Sequence, residues 1–189
     1  MRKLILVAHI SLDGFVAGAN GELDGFEPAE ENLEFVCKLT EDADAALFGR
    51  NSYQLLQKYW PTARDHPGAT MGEIVYSNWY NQAKKIIISR TMSGKHLPNT
   101  TIISDNIASE MIKIKTQPGK NILIFGSPAA SQTLMQLKLI DSYWIFINPA
   151  LFGKGIPLFP ANTNLTKLKL ISTRKFNNGE IAFNYDMIV

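Results

Sequence analysis

Residues Ile122–Gln136 read ILIFGSPAASQTLMQ, and the fold turns on how the chain passes through them. Four apolar residues run into Gly126, and small and apolar residues then recur at helical spacing. This is the pattern of a buried strand, a tight turn and a helix start. Ser127 suits the N-cap, where its hydroxyl would accept from a backbone N–H one turn in. Pro128 suits the first helical position, where no donor is lost. A helix start at the carboxyl end of a strand is a place for an anion.

Outward from this unit, strands and helices alternate. Leu4–Ile10 reads as a first strand, apolar on both faces, rather than as a signal peptide. The next segment, SLDGFVAGANGELDGFEP, is a long glycine-rich loop, of the kind that carries function. Ala29–Thr40 reads as a helix with Leu33, Val36 and Cys37 on one face. Asp44–Phe48 is a strand ending at Gly49, and Asn51–Tyr59 a helix stopped by Pro61. Thr62–Gly72 reads as irregular, and Glu73–Gln82 as a short helix. Lys85–Ser89 and Thr100–Ser104 are strands, and Asn106–Lys115 a helix. After the 122–136 unit, Ser142–Asn148 is apolar without alternation, which suits a strand covered on both faces or a subunit interface. LKLISTRKF and EIAFNYDMI then flank Asn177-Asn178-Gly179, a hairpin signal. The order predicts an α/β fold in one domain, with a mostly parallel sheet, flanking helices and a C-terminal antiparallel hairpin.

Composition removes several function classes. The chain of 189 residues carries a net charge of +2, with its basic residues scattered, so no nucleic-acid footprint is expected. Cys37 is the sole cysteine, so no intrachain disulfide forms, and no Cys/His cluster has metal-ligand spacing. No apolar run approaches a membrane span. A cytoplasmic protein is the expectation.

Three strand ends carry similar punctuation: ALFGRNSY, IIISRT and LIFGSPAAS. In a doubly wound sheet all three would meet on one edge, where ligands bind. Arg50 stands at a helix N-terminus, where a cation opposes the helix dipole. It either joins the helix start in binding an anion or pairs with a carboxylate such as Asp44 or Asp42. Ser89, Arg90 and Thr91 suit a phosphate monoester, or form a polar turn. Gly126 lets backbone approach a ligand.

SLDGFVAG, LFGRNSY, KIIISRT, ILIFGSPAASQTL and NPALFGKGIPLF, in this order, resemble the dihydrofolate reductase superfamily. They are most similar to stand-alone relatives of the reductase domain of the bifunctional riboflavin-biosynthesis deaminase–reductase. The resemblance implies a dihydrofolate reductase-like, NADPH-binding fold. It implies that Gly49, Arg50 and Ser52 lie at the adenosine-phosphate side and that Ser89 and Arg90 hold the 2′-phosphate. Gly126, Ser127 and the helix start at Ala129 would hold the pyrophosphate. The Ser11–Gly18 loop would cover the nicotinamide, with Leu151–Phe159 packed beside it. The deaminase half, with its His-x-Glu and Pro-Cys-x-x-Cys, is absent from the sequence.

By the same resemblance Asp13 lies near the reaction centre, as catalytic and substrate-binding residue, although Asp-Gly is also a favoured turn pair. In dihydrofolate reductases a helix after the first loop carries the acid that grips the pterin. A count back from Gly49 places Leu33 there, and Glu30, Glu31 and Glu34 read as a solvated face. His9 faces the core or a substrate cleft. Cys37 reads as core, and Trp60 as packing or as one wall of a substrate site. Two functions follow: an NADPH-dependent reductase of a small heterocyclic substrate, pterin-like or ribosylamino-pyrimidine-like, or a non-catalytic NADP(H)-binding module. The relatives resembled are often homodimers, which sets that expectation for this chain.

Overall fold

Strand β1 (Leu4–Ser11) lies inside an eight-stranded sheet, paired in parallel with β6 (Asn121–Phe125) on one side and β7 (Ser142–Asn148) on the other. The computed structural model describes residues 1–27, 29–161 and 165–188; Pro28, at the end of the long first loop, lies outside them. Beyond β6 come β3 (Ala43–Gly49), β4 (Lys84–Ile88) and β5 (Thr100–Ile103), all parallel. Beyond β7 the hairpin β9 (Leu168–Lys175) and β10 (Ile181–Met187) adds two antiparallel strands, giving the order β5-β4-β3-β6-β1-β7-β10-β9. β7 is thus a covered inner strand, which accounts for its unbroken apolar run.

Alternate residues of β1 face opposite cores. Leu4, Leu6, Ala8 and Ile10 join one cluster, closed by Met111 and Ile114 of helix α4 (Ile107–Thr116) and Ala130 and Leu134 of α5 (Pro128–Gln136). Val7 faces the other, with Val36 and Cys37 of α1 (Glu30–Glu41) and Tyr76 and Tyr80 of α3 (Met71–Gln82). Helices on both faces are why the inner strands lack polar alternation. Cys37 is core as expected, its thiol pushed up to about 11 by burial.

The differences from the sequence reading are local. The first loop contains a strand, β2 (Phe15–Ala17), paired with β8 (Ile156–Pro157) in a separate two-stranded sheet. Gly155 belongs there because a Cβ would collide with the Ala17 carbonyl. Helix α2 (Arg50–Leu56) ends sooner than expected, and single turns carry the chain on to Pro61. The 62–72 segment holds a 3₁₀ turn at Ala63–Asp65, and α3 begins at Met71. Thr70 and Glu73 form a reciprocal capping box that sets this start. The hairpin closes between Phe176 and Glu180, with Gly179 left-handed at φ 85°.

One buried cation gives the fold a pH signature. Lys85 on β4 donates to the carbonyls of Tyr80 and Ala83, and burial lowers its pKa from 10.5 to about 8. Between those values the unfolded chain binds the extra proton, so stability rises with pH across that window. Urea unfolding of wild type and Lys85→Met from pH 7.5 to 10 checks this. The wild-type midpoint is expected to climb relative to that of the variant, and parallel curves would refute the assignment.

Candidate functional site

The three punctuated strand ends come together. β4, β3 and β6 are neighbours, so Ser89, Gly49 and Gly126 follow adjacent parallel strands on one edge. The Gly49 N–H donates to Ser127 Oγ at 3.3 Å, bridging the first and third motifs. Arg50 Nη1 donates to Thr91 Oγ1 at 3.1 Å, bridging the first and second, and Thr91 in turn lies 3.3 Å from Ser89 Oγ. The chain leaves β3 toward β4 but leaves β6 toward β7, so this contact stands at a point where the connections diverge. Such points are where α/β sheets bind ligands.

The carboxylate alternative for Arg50 does not hold. Asp44 pairs with Arg2, and the exposed Arg50 bonds instead to Asn51 and Thr91. A guanidinium without a carboxylate partner, held by one hydroxyl and one amide oxygen beside a helix start, leaves charge for an anion. Ser52 lies in the first turn of α2. Arg90 lines a cleft of about 690 Å³ with Ser104, Asp105, the start of α4, Thr133 and Leu137.

Ser127 is the N-cap of α5 and Pro128 its first residue, but the hydroxyl does not cap the helix. Gly126 and Ser127 are both left-handed, at φ 52° and 47°. That double turn swings the hydroxyl across to β3. The N–H groups of Ala129 and Ala130 precede the first helical bond, Ser131 N–H to the Ser127 carbonyl at 2.9 Å. Space beside Gly126 is open, with nothing within 4 Å of where a Cβ would stand. A left-handed non-glycine residue is costly and tends to mark functional sites. Cations, hydroxyls, free N–H groups and open space together suit an anion such as a phosphate.

Asp13 occupies a different role in the geometry from that of an exposed acid awaiting substrate. Its carboxylate accepts from Ser11 Oγ at 2.5 Å, Phe152 N–H at 3.1 Å and Gly153 N–H at 2.8 Å. The Ser11 hydroxyl most of all, helped by the Gly153 and Phe152 amides, holds its pKa below the usual carboxylate value, against desolvation, which raises it by more than either amide lowers it. Ser11–Gly14 is also a closed turn, with Gly14 N–H on the Ser11 carbonyl at 2.9 Å. Asp13 therefore clasps the first loop to Leu151–Phe159, as does the β2–β8 pair. Gly18 belongs to the tip of that loop, its N–H on the Glu22 carbonyl at 2.8 Å, and its contacts do not reach the phosphate-type cradle. Trp60 is a packing residue, 4.3 Å from the Tyr76 ring, with its carbonyl accepting from Ser77.

At the far side of the same edge lies a group that the sequence did not disclose. Glu180, 1% exposed, accepts from Asn32 and Asn148, and its Oε1 lies 2.7 Å from His9 Nδ1. Asn32 of α1, not Leu33, is the residue of the first turn that reaches this carboxylate; Leu33 packs against Gly72. Glu30 and Glu34 are solvated as expected. Glu31 is not, since it accepts from Arg174 at 3.1 Å and from Asn177 N–H at 3.2 Å. The one available signal for Glu180 was a carboxylate directly after a hairpin turn, which ordinarily means solvent.

An edge of this kind, on a sheet of this order, defines a dihydrofolate reductase-like protein. Dihydrofolate reductase from Enterococcus faecalis, solved with NADP(H), superposes with a TM-score of 0.65 at 12% identity, over 98% of this chain and 96% of that one. A pyrimidine reductase-like protein from Corynebacterium diphtheriae superposes with a TM-score of 0.70 at 15% identity, over 100% and 92%. The family model of the RibD C-terminal domain matches residues 2–182, and the chain belongs to that family. The uncharacterized protein YyaP of Bacillus subtilis (strain 168) is 33% identical over 188 residues, covering 97% of this chain and 94% of its own. Among the described residues, no helix is long and apolar enough to cross a membrane, and no group of three or more His, Cys, Asp or Glu is placed to hold a metal ion.

The clasp yields a prediction. Asp13→Asn loses the charge that Phe152 and Gly153 donate to. Amide exchange at those two residues is expected to quicken at least fivefold at pH 7, while the strands keep their protection. In wild type the clasp should persist above the ordinary carboxylate value of 3.8 and be lost as pH falls through the lowered one. Unchanged exchange at Phe152 and Gly153 in the variant would remove Asp13 from this role.

Proposed function

We propose that this protein is an NADPH-dependent reductase acting on a small heterocyclic substrate, pterin-like or ribosylamino-pyrimidine-like. The observation that carries this is the convergence of Gly49, Arg50, Thr91 and Ser127 at the divergence of the strand connections. Bound NADPH would supply a hydride to a C=N or C=O carbon of the substrate. The free N–H groups at Ala129 and Ala130 would hold the pyrophosphate. Arg50, Ser89 and Thr91 would hold the 2′-phosphate, with Arg90 on the wall of the adjoining cleft. The first loop, clasped by Asp13 and by the β2–β8 pair, would cover the nicotinamide and exclude water. The names of the related structures support this reading, one being a reductase solved with NADP(H) and one pyrimidine reductase-like. A non-catalytic NADP(H)-binding module would share the phosphate contacts. Asp13, committed to the loop, gives that alternative its weight, because a reductase also needs a source of the proton. A homodimer belongs to the same proposal: β9 is an edge of the sheet and exposes Leu168, Leu170 and Ile171, which a second copy would cover.

Ligand-linked stability tests the cofactor. NADPH at a hundred times its dissociation constant should add about 2.7 kcal/mol. At about 2–4 °C per kcal/mol for a chain of this size, that is a rise in Tm of about 5–10 °C. NADH is expected to give less, and Arg50→Ala or Arg90→Ala to bring the NADPH shift down to the NADH value. The absence of a shift with either nucleotide would overturn the reading.

A further inference from the structure

The buried polar group around Glu180 is the feature that the cofactor cradle leaves unexplained. Its members come from four segments: His9 from β1, Asn32 from α1, Asn148 from β7 and Glu180 from the hairpin turn just before β10. A carboxylate taken out of water costs several kcal/mol unless it is paired and hydrogen-bonded. Among the described residues, no Lys or Arg pairs with Glu180. The other charged pair on this side, Glu31–Arg174, is closed on itself, with the guanidinium over the Phe35 and Phe176 rings. Asn32 and Asn148 supply N–H donors but no charge. Among the described residues, His9 is the one partner of Glu180 that can carry a positive charge.

The ring is fixed as well as paired. His9 stacks on Phe146 at a centroid distance of 4.4 Å and an interplanar angle of 22°, while Nδ1 points to Glu180. Its side chain is 39% exposed, against 2% for that of Glu180. The carboxylate is therefore hidden and the imidazole is its contact with the outside. Nδ1 is committed, so Nε2 is the nitrogen left to exchange a proton. This is the logic of a base oriented by a buried acid, in which the acid selects the tautomer and the outer nitrogen works.

Position adds the second half. Val7, two residues before His9 on the same face of β1, accepts from the Gly126 N–H at 2.9 Å. At about 3.3 Å per residue along a strand and about 4.8 Å between strands, His9 stands within roughly 10 Å of the Gly126–Ser127 turn. One atom of the cluster stays unpaired. Asn32 Oδ1 is buried without a hydrogen-bond partner, while the amide nitrogen is turned to Glu180. Flipping the amide would set oxygen against carboxylate, so the orphan acceptor is enforced by the cluster. Native proteins rarely leave such an atom unpaired.

We propose that His9 is the proton donor to the substrate, with Glu180 as its positioning residue. The inference rests on the reductase reading above. When a hydride adds to the carbon of a C=N or C=O group, the π electron pair moves onto the nitrogen or oxygen. His9 Nε2–H gives that atom its proton, and Glu180 keeps Nδ1–H on the neutral ring that results. Solvent at the exposed edge then restores the proton to Nε2.

The test combines the tautomer with turnover. Nitrogen-15 NMR of the whole protein should show neutral His9 protonated at Nδ1; a ring protonated at Nε2 overturns the proposal whatever the activity. NADPH oxidation is then followed with 7,8-dihydrobiopterin, 5-amino-6-ribosylaminouracil and 2-methyl-1-pyrroline. His9→Gln keeps an N–H for Glu180 but has no transferable proton, and it should lower kcat by about 10²–10⁴-fold. NADPH should still raise its Tm as in wild type. His9→Ala should regain part of its rate with added imidazole. If His9→Ala does not fold, the double variant His9→Gln/Glu180→Gln, without the buried charge, replaces it and should be as slow as His9→Gln. A His9→Gln variant within twofold of the wild-type kcat defeats this proposal and leaves the reductase standing. Wild type inactive on all three compounds defeats both.

Discussion

A parallel sheet covered on both faces has nowhere to put a polar side chain except at its strand ends, and everything distinctive in this protein follows from that. Leu4, Leu6, Ala45, Leu47, Ile86, Ile122 and Ile124 are fully buried, as are Phe48, Ile87 and Leu123 on the opposite face. Burying a polar group among them would cost several kcal/mol without a partner. Arginines, hydroxyls and carboxylates are therefore pushed to the carboxyl edge, where the strands turn into helices or loops. Parallel pairing then sets those edges side by side. Convergence of Arg50, Thr91, Ser127 and, farther along, His9 is a by-product of packing before it is a device for binding.

The two ends of that edge differ in kind. On the β3–β4–β6 side Arg50, Arg90 and Thr91 are exposed above the buried hydroxyls of Ser89 and Ser127, acids are few, and a cleft lies beside them. On the β1–β7–β10 side they are enclosed and centred on one carboxylate. Phosphates suit the first, being strongly charged and partly solvated. A small ring with a few directional hydrogen bonds suits the second. Two loops, tied by Asp13 and by the β2–β8 pair, belong to the same edge. Asp13 bonds three donors of these loops, which suits holding a lid better than passing a proton.

Much of this was legible along the chain because its causes are local. The strand–turn–helix at Gly126, the core position of Cys37 and the Asn-Gly hairpin each depend on neighbours a few residues away. Strand limits at β6 and β7 follow from apolar runs alone. What escaped the reading depends on distant partners. Ser127 looked like a cap, but its left-handed backbone hands the hydroxyl to Gly49, 78 positions away in sequence. Glu31 looked solvated until the returning hairpin brought Arg174 to it. Leu33 was the nearest match to an acid-bearing helix position, whereas the side chain that turns toward the carboxylate is its neighbour Asn32. One residue along a helix is a rotation of about 100°, enough to turn Leu33 toward Gly72 and Asn32 toward Glu180.

By itself the sequence determined the alternation of strands and helices, the parallel sheet with its antiparallel margin, and the presence of three polar strand ends, because periodicity and turn chemistry are short-range effects. Only the tertiary structure decided that Arg50 bonds to Thr91 rather than to an acid, that Asp13 closes a loop, and that His9 meets Glu180, 171 positions away in sequence. Those outcomes hang on which strands become neighbours. Strand order is set by the burial of whole faces, and no short stretch of residues records it.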